Sequence, residues 1–324
     1  MHIQEEIRVM DIKKISVIGL GLMGTPIATL LLKAGYQVTG FDIIKRQMSD
    51  LVPLGVKAVN SPKEAAKGAD LVLLSLPTWK SVLEVMEGRD GVAVGARKGQ
   101  IVADTSTSPP WESRALGQRL AKKRIEWMDV PISGSSAQAR VGNMVFVVGG
   151  KRSIFEKIKP VFDRIGKKTV YVGKSGDGAT LKLAINHTLY LNEAAAIEGL
   201  VLGLKAGLNP DVLFNVITSG AASSDLLLAR GRDMLNGNFS PKGPVVLANK
   251  DLALSLEMAR QLGVVLPVGA LYQQLLLNAH YNGWDQEDAT VVMRIYEQLA
   301  TPHFASTKSA VRGGHVKNSR YRKS

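Results

Sequence analysis

No cysteine occurs among the 324 residues. Disulfides, iron–sulfur clusters and thiolate zinc sites are therefore excluded. Aromatic residues are sparse, at 6% of the chain. In the basic stretch 301–324 only Tyr321 interleaves with the charges, so a stacking platform for single-stranded nucleic acid is not indicated. Long apolar runs are missing too: none approaches the roughly 18 residues of a membrane span. The opening MHIQEEIRVMDIKK lacks the apolar centre of a signal peptide. The expectation is a cytoplasmic chain with no membrane partner and no metal.

What is present is a sizeable apolar content, 45% of residues. At about 100–200 residues per domain, the length suggests two domains. The net charge is +13. Six of those positive charges (Lys308, Arg312, Lys317, Arg320, Arg322 and Lys323) lie in 301–324, where no acidic residue balances them. That composition reads as a solvated, disordered tail. The basic body suits a small anionic ligand.

Residues 15 to 173 alternate β-rich apolar runs with helical periodicity. The runs are Ile15-Ser-Val-Ile, Val38-Thr-Gly-Phe, Leu71-Val-Leu-Leu, Ile101-Val-Ala, Met144-Val-Phe-Val-Val and Thr169-Val-Tyr-Val, with Ile125-Glu-Trp-Met also strand-like. Thr25 to Lys33 and Pro109 to Lys122 read as helices between them. Continuous apolar strands alternating with helices predict a parallel α/β sheet. From about Gly176 the pattern becomes all-helical. It predicts one long helix from Thr180 to Lys205, then helices near 210–218, 223–236, 250–262, 267–281 and 288–299.

Gly19-Leu20-Gly21-Leu22-Met23-Gly24 is G-x-G-x-x-G, placed after a strand and before a helix. The first glycine permits a tight turn. The second lets backbone approach a pyrophosphate, and the third lets helix and strand pack closely. Asp42 ends the next strand, 23 residues past Gly19. Its carboxylate would take ribose hydroxyls and repel a 2′-phosphate, which favours NAD over NADP. Lys45 and Arg46, just beyond, soften that discrimination. The fold class follows: an N-terminal Rossmann-type doubly wound sheet (1–175) and an all-α domain (176–300), with the tail at 301–324. Two further strand ends, Leu76-Pro77-Thr78 and Asp104-Thr-Ser-Thr-Ser108, face the same crevice. Ser108 before Pro109-Pro110 reads as a helix N-cap.

Lys182 and Asn186 stand four apart on the long helix and share a face. In a partly buried cleft, desolvation would bring the lysine toward neutrality as a proton-transfer group. His187 points about 100° away and reads as a satisfied core or edge residue.

Four ordered motifs resemble the β-hydroxyacid dehydrogenase family, which includes the 3-hydroxyisobutyrate dehydrogenases. They are Gly19 to Gly24, Asp129-Val-Pro-Ile-Ser-Gly134, Gly176 to Asn186 and Lys250-Asp-Leu-Ala-Leu254, and the likeness spans about residues 13 to 300. The resemblance implies an NAD(P)-dependent oxidoreductase interconverting a 3-hydroxy acid and its semialdehyde. It implies Lys182 as general acid/base, while hydride moves to or from the nicotinamide, and Asn186 as a substrate-positioning residue. Ser133, Gly134 and the amide of Ser135 would hold the substrate carboxylate. Gly19, Gly21, Leu22, Met23, Gly24, Asp42, Leu76, Pro77, Thr107 and Lys250 would bind the cofactor. A homodimer or homotetramer is implied as well.

The chain departs from the family where Ser-Gly-Gly becomes Ser133-Gly134-Ser135, followed by Ser136-Ala137-Gln138. The loop loses backbone freedom and gains hydroxyls. One alternative is a semialdehyde reductase or, with a sulfonate as the anion, a sulfolactaldehyde reductase of the same family. The other reading is a non-catalytic NAD-binding protein with a nucleic-acid-binding tail.

Overall fold

The computed structural model describes residues 12–300. The basic stretch from residue 301, read above as a disordered tail, lies outside the described residues. Nine strands form one sheet: β1 (Lys14–Ile18), β2 (Gln37–Phe41), β3 (Lys57–Ala58), β4 (Leu71–Leu74), β5 (Ile101–Asp104), β6 (Glu126–Asp129), β7 (Ile132–Ser133), β8 (Val145–Gly149) and β9 (Lys168–Gly173). Their order is β3-β2-β1-β4-β5-β6-β8-β7, with β9 paired to β8. The order reverses at β1, which pairs in parallel with β2 on one side and β4 on the other. A reversal of this kind leaves a crevice outside the carboxyl ends of the strands.

The central strands are almost continuously apolar, Leu71–Leu74 entirely so, because both faces are covered. Ile15 and Val17 feed one core cluster, as do Leu71, Leu73, Ile101 and Ala103. Ile18, Val72, Leu74 and Val102, the alternate residues, feed the other. A strand buried on both sides loses the polar alternation of a half-exposed one. On the first face, Ile27 and Leu31 of the helix Gly24–Lys33 pack with Ile158 and Phe162 of the helix Arg152–Ile165. On the second, Val82 and Met86 of the helix Trp79–Glu87 pack with Leu116 and Leu120 of the helix Pro110–Lys122.

The sheet is not parallel throughout. β8 runs antiparallel to β6, with Asp129 opposite Gly149, and antiparallel to β7. A parallel return needs a crossover long enough to cover the sheet face. The chain between β6 and β8 instead spends its residues on β7 and the five-residue helix Ser136–Arg140. The next connection carries the 14-residue helix Arg152–Ile165, and β9 duly returns parallel to β8.

The helical half follows its periodicity: Asp177–Lys205, Pro210–Ser219, Asp225–Leu235, Val245–Leu262, Pro267–Tyr281 and Met293–Leu299. The described chain divides into two compact units. One runs through Asn192 and includes Ser240–Ala289, hence the sheet and the helices Val245–Leu262 and Pro267–Tyr281. The other holds Glu193–Phe239 and the chain from Thr290. In that second unit Asn209 and Ser224 cap their helices through their side chains. Arg230 there pairs with the fully buried Glu193 at 3.0 Å. No helix among the described residues is long and apolar enough to cross a membrane.

Candidate active site

A cavity of about 1060 Å³ opens over the β1–β4 reversal, and every residue lining it belongs to the first unit. Its floor is the glycine loop. Gly19 has φ +90°, and a Cβ there would run into the Ser75 carbonyl oxygen. A Cβ at Gly24 would strike the Gly19 carbonyl oxygen. A Cβ at Gly21 would meet no protein atom within 4 Å, although Gly21 lines the cavity. Packing therefore requires the first and third glycines, and the second leaves room for something outside the protein. The helix that follows, Gly24–Lys33, has Met23 as its N-cap and no side chain capping it. Thr25 gives its amide to the Gly21 carbonyl and Pro26 has none, so it is the helix dipole, offset by no side-chain cap, that favours an anion here.

Asp42 follows the end of β2, half-buried. Its Oδ2 accepts from the Leu20 amide at 2.7 Å and its Oδ1 from the Ile44 amide at 2.8 Å. The carboxylate is fixed against the glycine loop on the cavity wall. These features fit a dinucleotide: bare backbone for the pyrophosphate and a held carboxylate for a ribose. When bound, a nicotinamide cofactor supplies the hydride acceptor or donor.

The strand-end loops after β4 and β5 are tied to each other. The Leu76 amide donates to Ser106 Oγ at 2.9 Å, and Thr105 Oγ1 donates to the Leu74 carbonyl at 2.7 Å. From the helix Val245–Leu262, Lys250 Nζ donates to the carbonyl of Pro77 at 3.1 Å and to that of Thr107 at 3.5 Å. Leu76, Pro77, Thr107 and Lys250 all line the cavity.

Asp104, at the end of β5, explains the shape of its loop. It is buried, accepting from the Ser106 amide at 3.0 Å and from Ser108 Oγ at 2.7 Å. Burial pushes its carboxyl up to about 6, and the neighbouring Asp129 adds to the rise. Ser108 therefore does not cap the next helix. Pro109 is the N-cap and makes no side-chain bond. The Ser108 hydroxyl is drawn inward instead, because a buried carboxylate without donors is far costlier than an uncapped helix end at the surface.

Asp129 does the equivalent work for the helix that bears Lys182. Its Oδ1 accepts from the Gly176 amide at 2.7 Å and its Oδ2 from the Ala179 amide at 2.9 Å. A carboxylate from β6 thus caps the start of Asp177–Lys205. Burial raises the Asp129 carboxyl, and the donated amides pull it part of the way back.

Lys182 comes one turn into that helix, half-buried on the cavity wall. Desolvation lowers its pKa. The Asp251 carboxylate opposes that shift, and the nearby Lys250 charge adds to it. Asp251 is the hub: Oδ2 accepts from Asn186 Nδ2 at 2.8 Å and lies 3.4 Å from Tyr190 Oη, and Oδ1 pairs with Lys250 Nζ at 3.0 Å. A lysine with a lowered pKa beside a fixed carboxylate can exchange protons with a substrate oxygen.

Of the expected site residues, Gly19, Gly21, Leu22, Met23, Asp42 and Lys182 line the cavity, as do the strand-end group above and Gly134 with Ser135. Gly24, Ser133 and Asn186 are not on its wall. Gly24 lies under the loop it supports, Ser133 is paired in β7 with Val145, and Asn186 is buried against Asp251. The amide of Ser135, expected to meet a carboxylate, donates to Gln138 Oε1 at 2.7 Å. His187 also differs from its reading: it packs on Gly269, with a buried Nδ1 that has no partner among the described residues, and burial lowers its pKa. Sequence reasoning quoted Asp251, Asp104 and Asp129 inside its motifs without giving them a role, and missed the cavity-lining Lys242. For Asp251 a signal existed: an acidic residue beside Lys250 on an otherwise apolar helix face.

Comparisons agree with this geometry. Residues 14–173 match the family described as the NAD binding domain of 6-phosphogluconate dehydrogenase. Residues 176–296 match that described as the NAD-binding domain of NADP-dependent 3-hydroxyisobutyrate dehydrogenase. The chain is 33% identical to 2-(hydroxymethyl)glutarate dehydrogenase of Eubacterium barkeri, over 88% of this chain and 95% of that protein. It is 32% identical to 2-hydroxy-3-oxopropionate reductase of Escherichia coli (strain K12), over 90% of this chain and 100% of that one. The crystal structure of 3-hydroxyisobutyrate dehydrogenase from Salmonella typhimurium superposes with a TM-score of 0.81 at 27% identity, covering 87% of this chain and 99% of that one. A glycine loop with its helix, a half-buried lysine and a held carboxylate thus coincide with likeness along nearly the whole length: the chain belongs to the β-hydroxyacid dehydrogenase family of NAD(P)-dependent oxidoreductases.

Proposed function

We propose that the protein interconverts a small 3-hydroxy acid and its semialdehyde, with NAD as the preferred cofactor. The observation that carries this reading is the presence of Lys182 and Ser135 on the wall of the cavity that the glycine loop opens. In the oxidising direction neutral Lys182 takes the hydroxyl proton. In the reducing direction the ammonium returns it to the carbonyl oxygen. Asp251 holds Asn186 and faces Lys250, keeping the lysine's surroundings fixed through both half-reactions. The 133–136 loop receives the substrate carboxylate. Relatives named for a hydroxymethylglutarate and a hydroxy-oxopropionate support a substrate with a carboxylate and an adjacent hydroxymethyl or aldehyde carbon. The preference for NAD rests on Asp42, whose charge opposes a 2′-phosphate. A homo-oligomer working in the cytoplasm completes the proposal.

The test is a substrate panel of 3-hydroxyisobutyrate, 3-hydroxypropionate, 4-hydroxybutyrate, glycerate and 2-(hydroxymethyl)glutarate, each with NAD and with NADP. Lys182→Ala should lower kcat by about 10²–10⁴-fold, the usual size of a lost acid/base, while NADH binding survives. Turnover near wild type in that variant would sink the mechanism. A clear preference for NADP would remove the role given to Asp42.

A further inference from the structure

We propose that in this chain the donor offered to the substrate carboxylate is the Ser135 hydroxyl, and that Gln138 is the positioning residue that presents it. The proposal rests on the reading above and concerns how the anion loop works in this particular sequence.

The loop is closed by a reciprocal capping box. The Ser135 amide donates to Gln138 Oε1 at 2.7 Å, and the Gln138 amide donates to Ser135 Oγ at 3.3 Å. The first bond consumes the backbone donor of residue 135. The second uses only a lone pair of the hydroxyl, so its proton is left to give away. Gly134, Ser135 and Ser136 line the cavity, but Gln138 does not. The carboxamide thus lies behind the loop, with Oε1 only 3.6 Å from where a Cβ on Gly134 would stand. The Gln138 carbonyl in turn accepts from the Asn143 amide at 2.9 Å, which ties the capping residue to the chain leading into β8. Serine at 135 and glutamine at 138 form one device: Gln138 takes the amide, and the hydroxyl is the donor that the cavity-lining Ser135 has left to offer. A hydroxyl reaches farther than an amide and rotates, so this loop holds its anion by an adjustable donor where a glycine-rich loop would use fixed backbone.

Malonate serves as a non-reactive carboxylate probe, titrated calorimetrically into the NADH-saturated full chain, beside KM for the best panel substrate. Ser135→Ala should weaken malonate by about 10- to 100-fold, the worth of a hydrogen bond to a charged group, with the kinetic effect in KM and NADH affinity unchanged. Ser135→Thr, which keeps both hydroxyl and cap, should restore binding to within a few-fold. Gln138→Ala should weaken malonate in the wild-type background and add nothing in the Ser135→Ala background, because it acts through that hydroxyl. Three results overturn the proposal: no malonate binding by the wild-type complex, indifference of binding to Ser135→Ala, or tighter binding in Gln138→Ala, which would make the released amide the true donor. A protein that turns over nothing in the panel removes the functional reading instead. Malonate binding would still decide this inference, since it reads the loop and not the chemistry.

Discussion

Burial and a single carboxylate, Asp251, act against each other on Lys182. Burial, with the Lys250 charge adding to it, drives the lysine below its ordinary value of 10.5, and Asp251 holds part of that fall in check. In the proposed mechanism oxidation uses the neutral amine, so the oxidative kcat/KM should rise with pH through the lysine's pKa. Removing the carboxylate removes the influence that favours the ammonium. In Asp251→Asn, the limb of the pH–rate profile should therefore move to lower pH. The same variant keeps an acceptor oxygen for Asn186 but loses the charge facing Lys250. A profile unmoved by Asp251→Asn would show that the lysine is tuned by something else. This residue was poorly legible in the sequence, because its partner Asn186 lies 65 positions away and only folding brings them to 2.8 Å.

At the scale of elements, buried carboxylates at the ends of β5 and β6 shape the pieces they face. Asp104 and Asp129 are register partners on adjacent strands. One fixes the loop carrying Thr107, and the other caps the helix carrying Lys182. Asp104 titrates at about 6 in the folded chain against an ordinary 3.8. The folded state then holds a proton that the unfolded chain has released, so this group's contribution to stability falls as pH rises from about 4 to about 6 and is level above. At about 1.4 kcal/mol per unit, the loss amounts to roughly 3 kcal/mol. Asp104→Asn cannot titrate. The stability difference between wild type and this variant, followed by urea unfolding, should change across that window and be flat from pH 7 upward. A difference constant with pH would refute the assignment. Of these elements, the long helix and the strands were readable from periodicity. The Ser108 cap was misread because local turn chemistry cannot anticipate a buried carboxylate four residues back that claims the hydroxyl.

For the whole molecule, cofactor binding and folding should separate cleanly at the glycine loop. A ligand that binds only the native state, at 100 times its Kd, stabilises it by about 2.7 kcal/mol. NADH should raise the Tm of the wild-type chain accordingly. Gly21→Ala meets open space in the protein, so the ligand-free Tm should hold while the NADH-induced rise disappears. Gly24→Ala drives a Cβ into the Gly19 carbonyl, so it should lower the Tm with or without ligand. Equal behaviour of the two variants would mean that the glycines are not divided between packing and ligand. The sequence by itself determined the succession of the longer strands and of the helices in the second half, the glycine loop with its acidic partner, and the helix bearing Lys182. These signals are local: backbone sterics at three glycines, apolar periodicity, and residues four apart on one face. Only the tertiary structure decided that β8 runs against β6, that Asp251 neighbours Lys182, and that the Ser135 amide is taken by Gln138. Each of those depends on which distant or competing polar group is satisfied once water is excluded, and a buried donor or acceptor takes whatever partner the fold supplies.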